Sequence, residues 1–217
     1  MSAPLYPARE RYQDRKVAGD YDQERFASWF GKLADRAESG LLERAINKYF
    51  TAGTVLDLPC GTGRLLNPLI ESGLEVTGGD ISLQMMAVAQ ARYKGKKNIR
   101  FEKVDAENLS FPPNHFDYLT SFRLMTHLPP EVRQKVLGEM VRVTRKMLVI
   151  NYHLDCFSPL NLWNRIFRPG TCPLFTLNKS QMLAEIGAHK NIEICDIWRL
   201  SAIERTSHVV ILKKAGN

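Results

Sequence analysis

Short runs of β-branched and aromatic residues alternate along this chain with longer stretches whose apolar residues recur at helical spacing. The strand-like runs occupy residues 54–58, 75–79, 99–104, 116–122, 147–152, 192–200 and 208–214. Between the first five of them, helical spacing marks residues 64–71, 82–93 and 131–143. Ser82 is a candidate N-cap, and Gly73 and Gly95 suit helix ends. Strands that alternate with helices predict an α/β protein with right-handed βαβ units, a mainly parallel sheet and helices on both faces.

The two ends of the chain depart from this alternation. Only residues 201–207 separate the last two strand-like runs, too few for a parallel crossover, so we expect an antiparallel hairpin there. Ahead of the first strand, residues 22–50 show helical spacing within a predicted N-terminal cap over about residues 9–50. The apolar residues expected to share one broad face of this helix are Phe26, Trp29, Phe30, Leu33, Leu41, Leu42 and Ile46.

An inserted segment over about residues 153–175 follows the fifth strand-like run. Its bulky residues recur at helical spacing: Leu160, Trp163, Ile166 and Phe167. This spacing fits a helix packed on the body and equally a lid over the carboxyl edge of the sheet, where open α/β sheets bind ligands. Because there is no internal repeat or low-complexity linker, we expect residues 1–217 to form a single domain.

Composition and charge narrow the class of protein. Hydrophobic residues make up 44% of the chain and charged residues 24%, which is typical of a globular protein. The chain has no apolar run of about 18 residues, and its charged N-terminus lacks the apolar segment of a secretory signal. Four cysteines without a CxxC pair fit reduced thiols and a cytoplasmic location. The net charge of +7 is spread along the chain, which favours a solvated surface over nucleic-acid binding and leaves peripheral membrane contact open.

The stretch "VLDLPCGTGRLL", residues 55–66, is a strand followed by a glycine-containing turn that opens a helix. Glycines at such a turn let a ligand approach the backbone N–H groups closely. The phosphate-binding pattern GxxxxGK[ST] is absent, and Leu66 stands where a dinucleotide fingerprint needs a third small residue. The turn could serve a phosphate, NAD(P) or another adenosine-containing molecule, and Leu66 counts against NAD(P).

Three aspartates, Asp57, Asp80 and Asp105, end three successive strand-like runs. From such a position the Asp80 carboxylate can accept hydrogen bonds from both hydroxyls of a ribose, and the Asp105 carboxylate can accept one from the amino group of an adenine. A single aspartate at a strand end is more typical of a helix cap or a solvated turn. Three in succession, with the glycine-containing turn after the first, indicate a ligand site at the carboxyl edge of the sheet.

These motifs resemble those of class I S-adenosylmethionine (SAM)-dependent methyltransferases of the small-molecule "type 11" kind, over about residues 21–213. "VLDLPCGTGRLL" is similar to the first motif of that family, "GGDIS" to its second, and "VDAENLSFPPNHFDYLTSFRLMTHL" to its third motif and fourth strand. The resemblance implies a Rossmann-like, seven-stranded sheet of order 3-2-1-4-5-7-6 with the last strand antiparallel. It also implies SAM as the cofactor and S-adenosylhomocysteine (SAH) as the product.

The resemblance assigns residues to parts of the cofactor. Asp57 would lie near the ammonium group, Asp80 would accept the ribose hydroxyls, and Asp105 would accept the adenine amine. Tyr21 would close over the methionine carboxylate, and Arg25 is a candidate for the same anion. The other implied cofactor residues are Leu58, Pro59, Cys60, Gly61, Gly63, Ile81, Met85, Ala106, Phe122 and Arg123. Pro59 departs from the glycine most common at its position.

The acceptor side offers two histidines and an arginine. Methyl transfer needs a base only where the acceptor must lose a proton. His127, after the fourth strand, and His153, after the fifth, are the candidates, and either could instead organise its loop. His153 is expected to face the acceptor pocket together with Tyr152 and Asp155. Arg123 could orient an anionic acceptor or bond to loop carbonyls.

The leading hypothesis is methyl transfer, at O or N, to a small-molecule or a lipid- or sugar-linked acceptor. An RNA or protein methyltransferase is the alternative, favoured by the net charge and disfavoured by the lack of an added binding domain. "SFRLMTHLPP" replaces the [DN]PP[YFW] signature of DNA amine methylation. A non-catalytic SAM-binding protein is a third class, against which the intact cofactor residues argue. His153, Cys156 and Cys172 lack a fourth ligand of clear spacing, so no metal site is predicted.

Overall fold

A computed structural model describes residues 29–154, 175–200 and 206–215 of the chain. Seven strands lie within these ranges: β1 (Thr54–Asp57), β2 (Glu75–Asp80), β3 (Ile99–Lys103), β4 (Phe116–Ser121), β5 (Thr144–His153), β6 (Ile192–Arg199) and β7 (Ser207–Lys214). They form one sheet with the order β3-β2-β1-β4-β5-β7-β6. The pairings of β1 to β5 are parallel, and β7 runs antiparallel to both β5 and β6. The predicted sheet is confirmed.

Helices cover both faces of the sheet. In the described residues they are α1 (Trp29–Tyr49), α2 (Leu66–Glu71), α3 (Leu83–Arg92), α4 (Pro130–Val143) and α5 (Lys179–Gly187), with a 3₁₀ turn at Met125–His127. Successive residues of a strand point to opposite faces. On β5, Leu148 and Ile150 therefore join a core with α4 and α5, while Met147 and Val149 join one with α1 and α2.

The predicted ends of the helices follow local sequence signals. The Ser82 hydroxyl accepts the Met85 N–H at 3.2 Å, so Ser82 is the N-cap of α3, as predicted. Gly73 follows α2 with a φ of 77°, in the left-handed region that favours glycine after a helix. The second predicted helix begins at Leu66 and not at residue 64, and this later start places Pro68 in the first turn, where proline is tolerated.

The predicted apolar face of α1 is wrong for the first half of the helix. Leu42 and Ile46 are buried against the sheet, whereas the side chains of Trp29 and Leu33 are 66% and 42% exposed. Among the described residues, those of the helix that join the apolar core all belong to its second half. Phe26 and the side chain of Phe30 lie outside the described residues.

Two predicted segments fall largely outside the described residues. The part of the N-terminal cap before α1, which includes Tyr21 and Arg25, lies outside the described residues, and so does the inserted segment apart from its ends. The cap before α1 and the lid therefore stay predictions. Among the helices of the described residues, none combines the length and apolar character needed to cross a membrane.

Candidate functional site: a cleft at the carboxyl edge

The loop between β1 and α2 forms one wall of a cleft at the carboxyl edge of the sheet. The Leu58 N–H donates to the Thr120 carbonyl at 2.9 Å, and the Cys60 N–H donates to the Gly79 carbonyl at 2.8 Å. These bonds fix residues 58–63, the glycine turn, to β4 and β2 on either side. The Leu58–Pro59 peptide is cis.

The two glycines of the glycine turn have different neighbours. Both lie in the left-handed region, with φ of 53° at Gly61 and 80° at Gly63. A Cβ atom at Gly61 would meet no atom within 4 Å, so its backbone borders open space. A Cβ at Gly63 would lie 2.9 Å from Cε2 of Tyr93, the C-cap residue of α3. Gly61 therefore leaves room for a ligand, and Gly63 allows the turn to pack on its neighbour.

Asp57, at the end of β1, is a buried carboxyl group at the bottom of the cleft. The Thr120 hydroxyl donates to its Oδ1 at 2.7 Å. Burial raises the pKa of Asp57 to about 7, against the opposing effects of the Thr120 hydrogen bond and the charge of Arg64. A cation bound next to this carboxyl group would favour its ionised form.

Asp80, at the end of β2, is held by two backbone amides. The Gly61 N–H donates to its Oδ2 at 2.8 Å, and the Ser82 N–H donates to its Oδ1 at 2.9 Å. Burial raises the pKa of Asp80, and the backbone hydrogen bonds act in the opposite direction. The carboxyl group is thus fixed beside the open face of the glycine turn.

Asp105 follows β3 and lines the third side of the cleft. Its Oδ1 accepts the Glu107 N–H at 3.0 Å, which closes a short turn. The neighbouring wall is apolar and is formed by Ile81, Met85, Val104, Ala106 and Leu128. A flat, apolar ring with one polar edge matches such a wall.

The cleft, about 1100 Å³ including its open mouth, brings together most of the residues predicted to contact the cofactor. Its lining includes residues 57–61, 80–81, 105–106 and 122–123, together with Met85. Gly63 is not part of the lining, because it packs beneath the turn. Open backbone at Gly61, a carboxyl group at Asp80 and an apolar wall are the features that an amino-acid tail, a ribose and an adenine require.

A glutamate that the sequence did not single out ties α1 to this cleft. Glu38 is buried, and its carboxylate lies 2.6 Å from Nη2 of Arg64 and 2.7 Å from Nη2 of Arg123. Asp35 contacts the same Arg64 guanidinium. The sequence did contain a signal for Glu38, because this charged residue lies one turn before the buried Leu42. A carboxylate on the buried face of a helix needs a partner.

The Arg123 guanidinium is engaged by Glu38, a contact that neither predicted role included. Its Nε also donates to Glu38 Oε2 at 3.0 Å. The Arg123 backbone adopts a φ of 62°, unusual for a residue with a side chain, and its N–H donates to Asn151 Oδ1 at 3.4 Å. The prediction that Arg123 orients an acceptor therefore has to account for a side chain already held by Glu38.

The two candidate histidines occupy different places. His127 lies in the 3₁₀ turn and lines the cleft. His153, the last residue of β5, pairs with Ser207 of β7 and is not among the described residues that line the cleft. The geometry therefore brings His127 to the cofactor residues and leaves His153 at the neighbouring strand end.

The prediction that Tyr152 faces the acceptor pocket is wrong. Its side chain is fully buried in the sheet, and its hydroxyl donates to Glu185 Oε1 at 3.3 Å. Burial and the nearby Glu185 carboxylate raise the pKa of the Tyr152 hydroxyl well above its usual range. Strand alternation decides the outcome, because Tyr152 shares the face of Leu148 and Ile150. Asp155 lies outside the described residues.

A buried ion pair supports the loop that carries His127. Nε of Arg133 lies 2.7 Å from Oε2 of Glu185, and Nη1 of Arg133 donates to the Leu128 carbonyl at 3.2 Å. The Phe175 N–H donates to the Thr126 carbonyl at 2.8 Å. The loop is thus fixed from two sides.

In the part of the chain that the structure describes, no three histidine, cysteine, aspartate or glutamate side chains lie close enough together to hold a metal ion. Cys156 and Cys172, which belong to the metal set weighed from the sequence, lie outside that part.

Known proteins share both the motifs and the fold. Residues 55–147 match the family model described as a methyltransferase domain. A demethylmenaquinone methyltransferase of Renibacterium salmoninarum is 38% identical over 109 residues, which are 48% of this chain and 44% of that protein. A phosphatidylethanolamine N-methyltransferase of Cereibacter sphaeroides is 31% identical over 137 residues, 60% of this chain and 64% of that protein.

A solved structure extends the likeness to nearly the whole chain. The crystal structure of magnesium protoporphyrin IX methyltransferase from Synechocystis with bound SAH has a TM-score of 0.74 at 17% identity, over 93% of this chain and 98% of that one. The chain therefore shares the fold of that methyltransferase structure, and its residues 55–147 have the sequence features of a methyltransferase domain, in agreement with the resemblance seen in the motifs. The match covers less than half of the length of the demethylmenaquinone methyltransferase.

Proposed function

We propose that this protein transfers the methyl group of SAM to a small, largely apolar acceptor, either free or lipid-linked, at an oxygen or nitrogen atom. The observation that carries the proposal is the cleft: its turn, carboxyl groups and apolar wall match the parts of SAM, and His127 lies at its margin. The named relatives support the acceptor class, because demethylmenaquinone, phosphatidylethanolamine and magnesium protoporphyrin IX are small and carry large apolar parts.

The cofactor residues have separable roles in this proposal. Asp57 meets the ammonium group of the methionine portion, Asp80 accepts the ribose hydroxyls, and Asp105 accepts the adenine amine. Ile81, Met85 and Ala106 enclose the adenine ring, and Leu58 to Gly61 present backbone to the methionine portion. Tyr21 and Arg25 are proposed for the methionine carboxylate.

The sulfonium of SAM supplies the activated methyl group, so the protein must mainly align the acceptor and exclude water. An acceptor hydroxyl would also have to lose its proton. We assign that step to His127 in preference to His153, since His127 lines the cleft. Replacing His127 by alanine should then lower kcat about 100-fold for a hydroxyl acceptor, with little change in the Kd of SAM. His153→Ala is the matched control, and an equal loss in both variants would contradict the assignment.

An RNA or protein acceptor is the second candidate, favoured by the net charge of +7. The two candidates separate in one experiment, in which the protein is incubated with SAM carrying a tritiated methyl group and a cell extract. We expect the label in the fraction of low mass that organic solvent extracts. Label in RNA or protein would overturn the proposed acceptor class, and SAM binding without any transfer would favour a non-catalytic role.

A further inference from the structure

Glu38 and Asp35 form an ion cluster with Arg64 and Arg123, two residues in the wall of the cleft. The Glu38 side chain is 1% exposed, and those of Arg64 and Arg123 are 15% and 16% exposed. Both arginines line the cleft itself. Water screens the charges of such buried side chains weakly, so a change at one of them alters the electrostatic potential across the cleft.

Among the described residues, two guanidinium groups face two carboxylates, Glu38 and Asp35, so the charges of these four side chains sum to zero. Burial opposes the charge of Arg64, but the nearby Glu38 and Asp35 outweigh it and raise its pKa. Arginine side chains stay cationic in proteins, so the compensation depends on the carboxylates.

The ligand and the product of this cleft differ by one charge. SAM carries a sulfonium cation, and SAH, which has lost the methyl group, carries a neutral thioether in its place. Arginines without compensation in the wall would repel the sulfonium and leave the thioether unaffected. The charge state of the wall thus discriminates between the methyl donor and its product.

We propose that Glu38 is a positioning and specificity residue, which compensates Arg64 and Arg123 so that the cleft prefers the SAM cation over SAH. The proposal rests on the SAM-binding cleft proposed above. It predicts that the ratio Kd(SAH)/Kd(SAM) follows the net charge of the cluster, whatever happens to the overall affinity.

The first test is Glu38→Gln, which removes the charge and keeps the shape of the side chain. Calorimetric titration of each ligand should show the Kd of SAM rising about tenfold more than the Kd of SAH. Glu43→Gln removes the same charge from an exposed position of the same helix, where Glu43 accepts a hydrogen bond from Ser39, and should leave the ratio unchanged. An equal loss for SAM and SAH in Glu38→Gln would assign Glu38 a purely architectural role and overturn the proposal.

The reverse charge change keeps the test decisive if Glu38→Gln does not fold. Arg123→Gln makes the cluster more negative and should shift the ratio toward SAM, by an amount of similar size and opposite sign. The double variant Glu38→Gln/Arg123→Gln should return the ratio to that of the unaltered protein. If the ratio Kd(SAH)/Kd(SAM) stays constant in these variants, the proposed role of Glu38 alone is overturned. If the unaltered protein does not bind SAM, the cofactor cleft is overturned as well.

Discussion

Two buried aspartates on adjacent strands, Asp57 and Asp117, lie at opposite edges of the sheet in contrasting surroundings. Asp117, near the start of β4, accepts the Thr54 N–H at 3.1 Å and contacts Arg145 and Lys146 at 2.9 and 3.1 Å. Burial alone would raise its pKa, but the Thr54 N–H and the two cations outweigh burial and lower it. For Asp57, burial prevails and the pKa rises to about 7.

The contrast separates a carboxyl group that serves the fold from one that we propose serves a ligand. At the amino edge, cations of the protein itself already stabilise the ionised form of Asp117. At the carboxyl edge, burial favours the neutral form of Asp57, and a bound ammonium group would favour its ionised form. Four predictions test this division.

The largest effect is expected at Asp80, the carboxyl group that shares the cleft with Asp57. Asp80→Asn keeps the size of the side chain but weakens its acceptance of the ribose hydroxyls, so SAM affinity should fall about 100-fold. The shift in Tm that SAM produces should almost disappear. An unchanged shift would contradict the ribose assignment.

At the opposite edge, Asp117→Asn should cost stability and not affinity. Loss of the contacts with Arg145 and Lys146, both about half exposed, should lower the free energy of unfolding by about 1–2 kcal/mol. The Kd of SAM should not change. Denaturant titration and calorimetry measure the two quantities, and a weakened Kd would show that the edges are coupled.

The pKa of Asp57 makes cofactor binding depend on pH. If SAM binds the ionised form, its affinity should rise about tenfold from pH 6 to pH 8, with proton release on binding. Stability of the unliganded protein has the opposite trend. Because the folded state holds the proton more tightly, the free energy of unfolding should fall as the pH rises from about 4 through about 7. Asp57→Asn should flatten both profiles, and unaltered profiles would assign the titration to another group.

The smallest effect is expected at Thr120, whose hydroxyl bonds to Asp57 at 2.7 Å. Thr120→Val keeps the shape and removes the donor, so the ionised carboxylate loses about 1 kcal/mol of support. The midpoint of the pH profile for SAM binding should move upward. A midpoint that moves downward would mean that the hydroxyl does not stabilise the carboxylate.

Patterns local in sequence predicted the sheet and identified most of the residues that line the cleft. The alternation of strands and helices identified the strands, and aspartates at strand ends share one edge of a parallel sheet once the fold is known. Ser82 capped its helix as predicted, because capping depends on neighbours only three residues away.

The ion cluster could not be predicted in the same way. Glu38 contacts residues 26 and 85 positions away, and no local periodicity relates them. The predictions for Tyr152 and for the first half of α1 were wrong for a related reason. An apolar pattern along the chain does not identify the element that packs against it.

Binding of SAM in the carboxyl-edge cleft is tested most directly by calorimetric titration of SAM into the unaltered protein and into Asp80→Asn. The unaltered protein should bind SAM at one site per chain, from which SAH but not NAD⁺ displaces it, and the variant should bind SAM far more weakly. Equal binding to both proteins, or displacement of SAM by NAD⁺, would contradict SAM binding in this cleft.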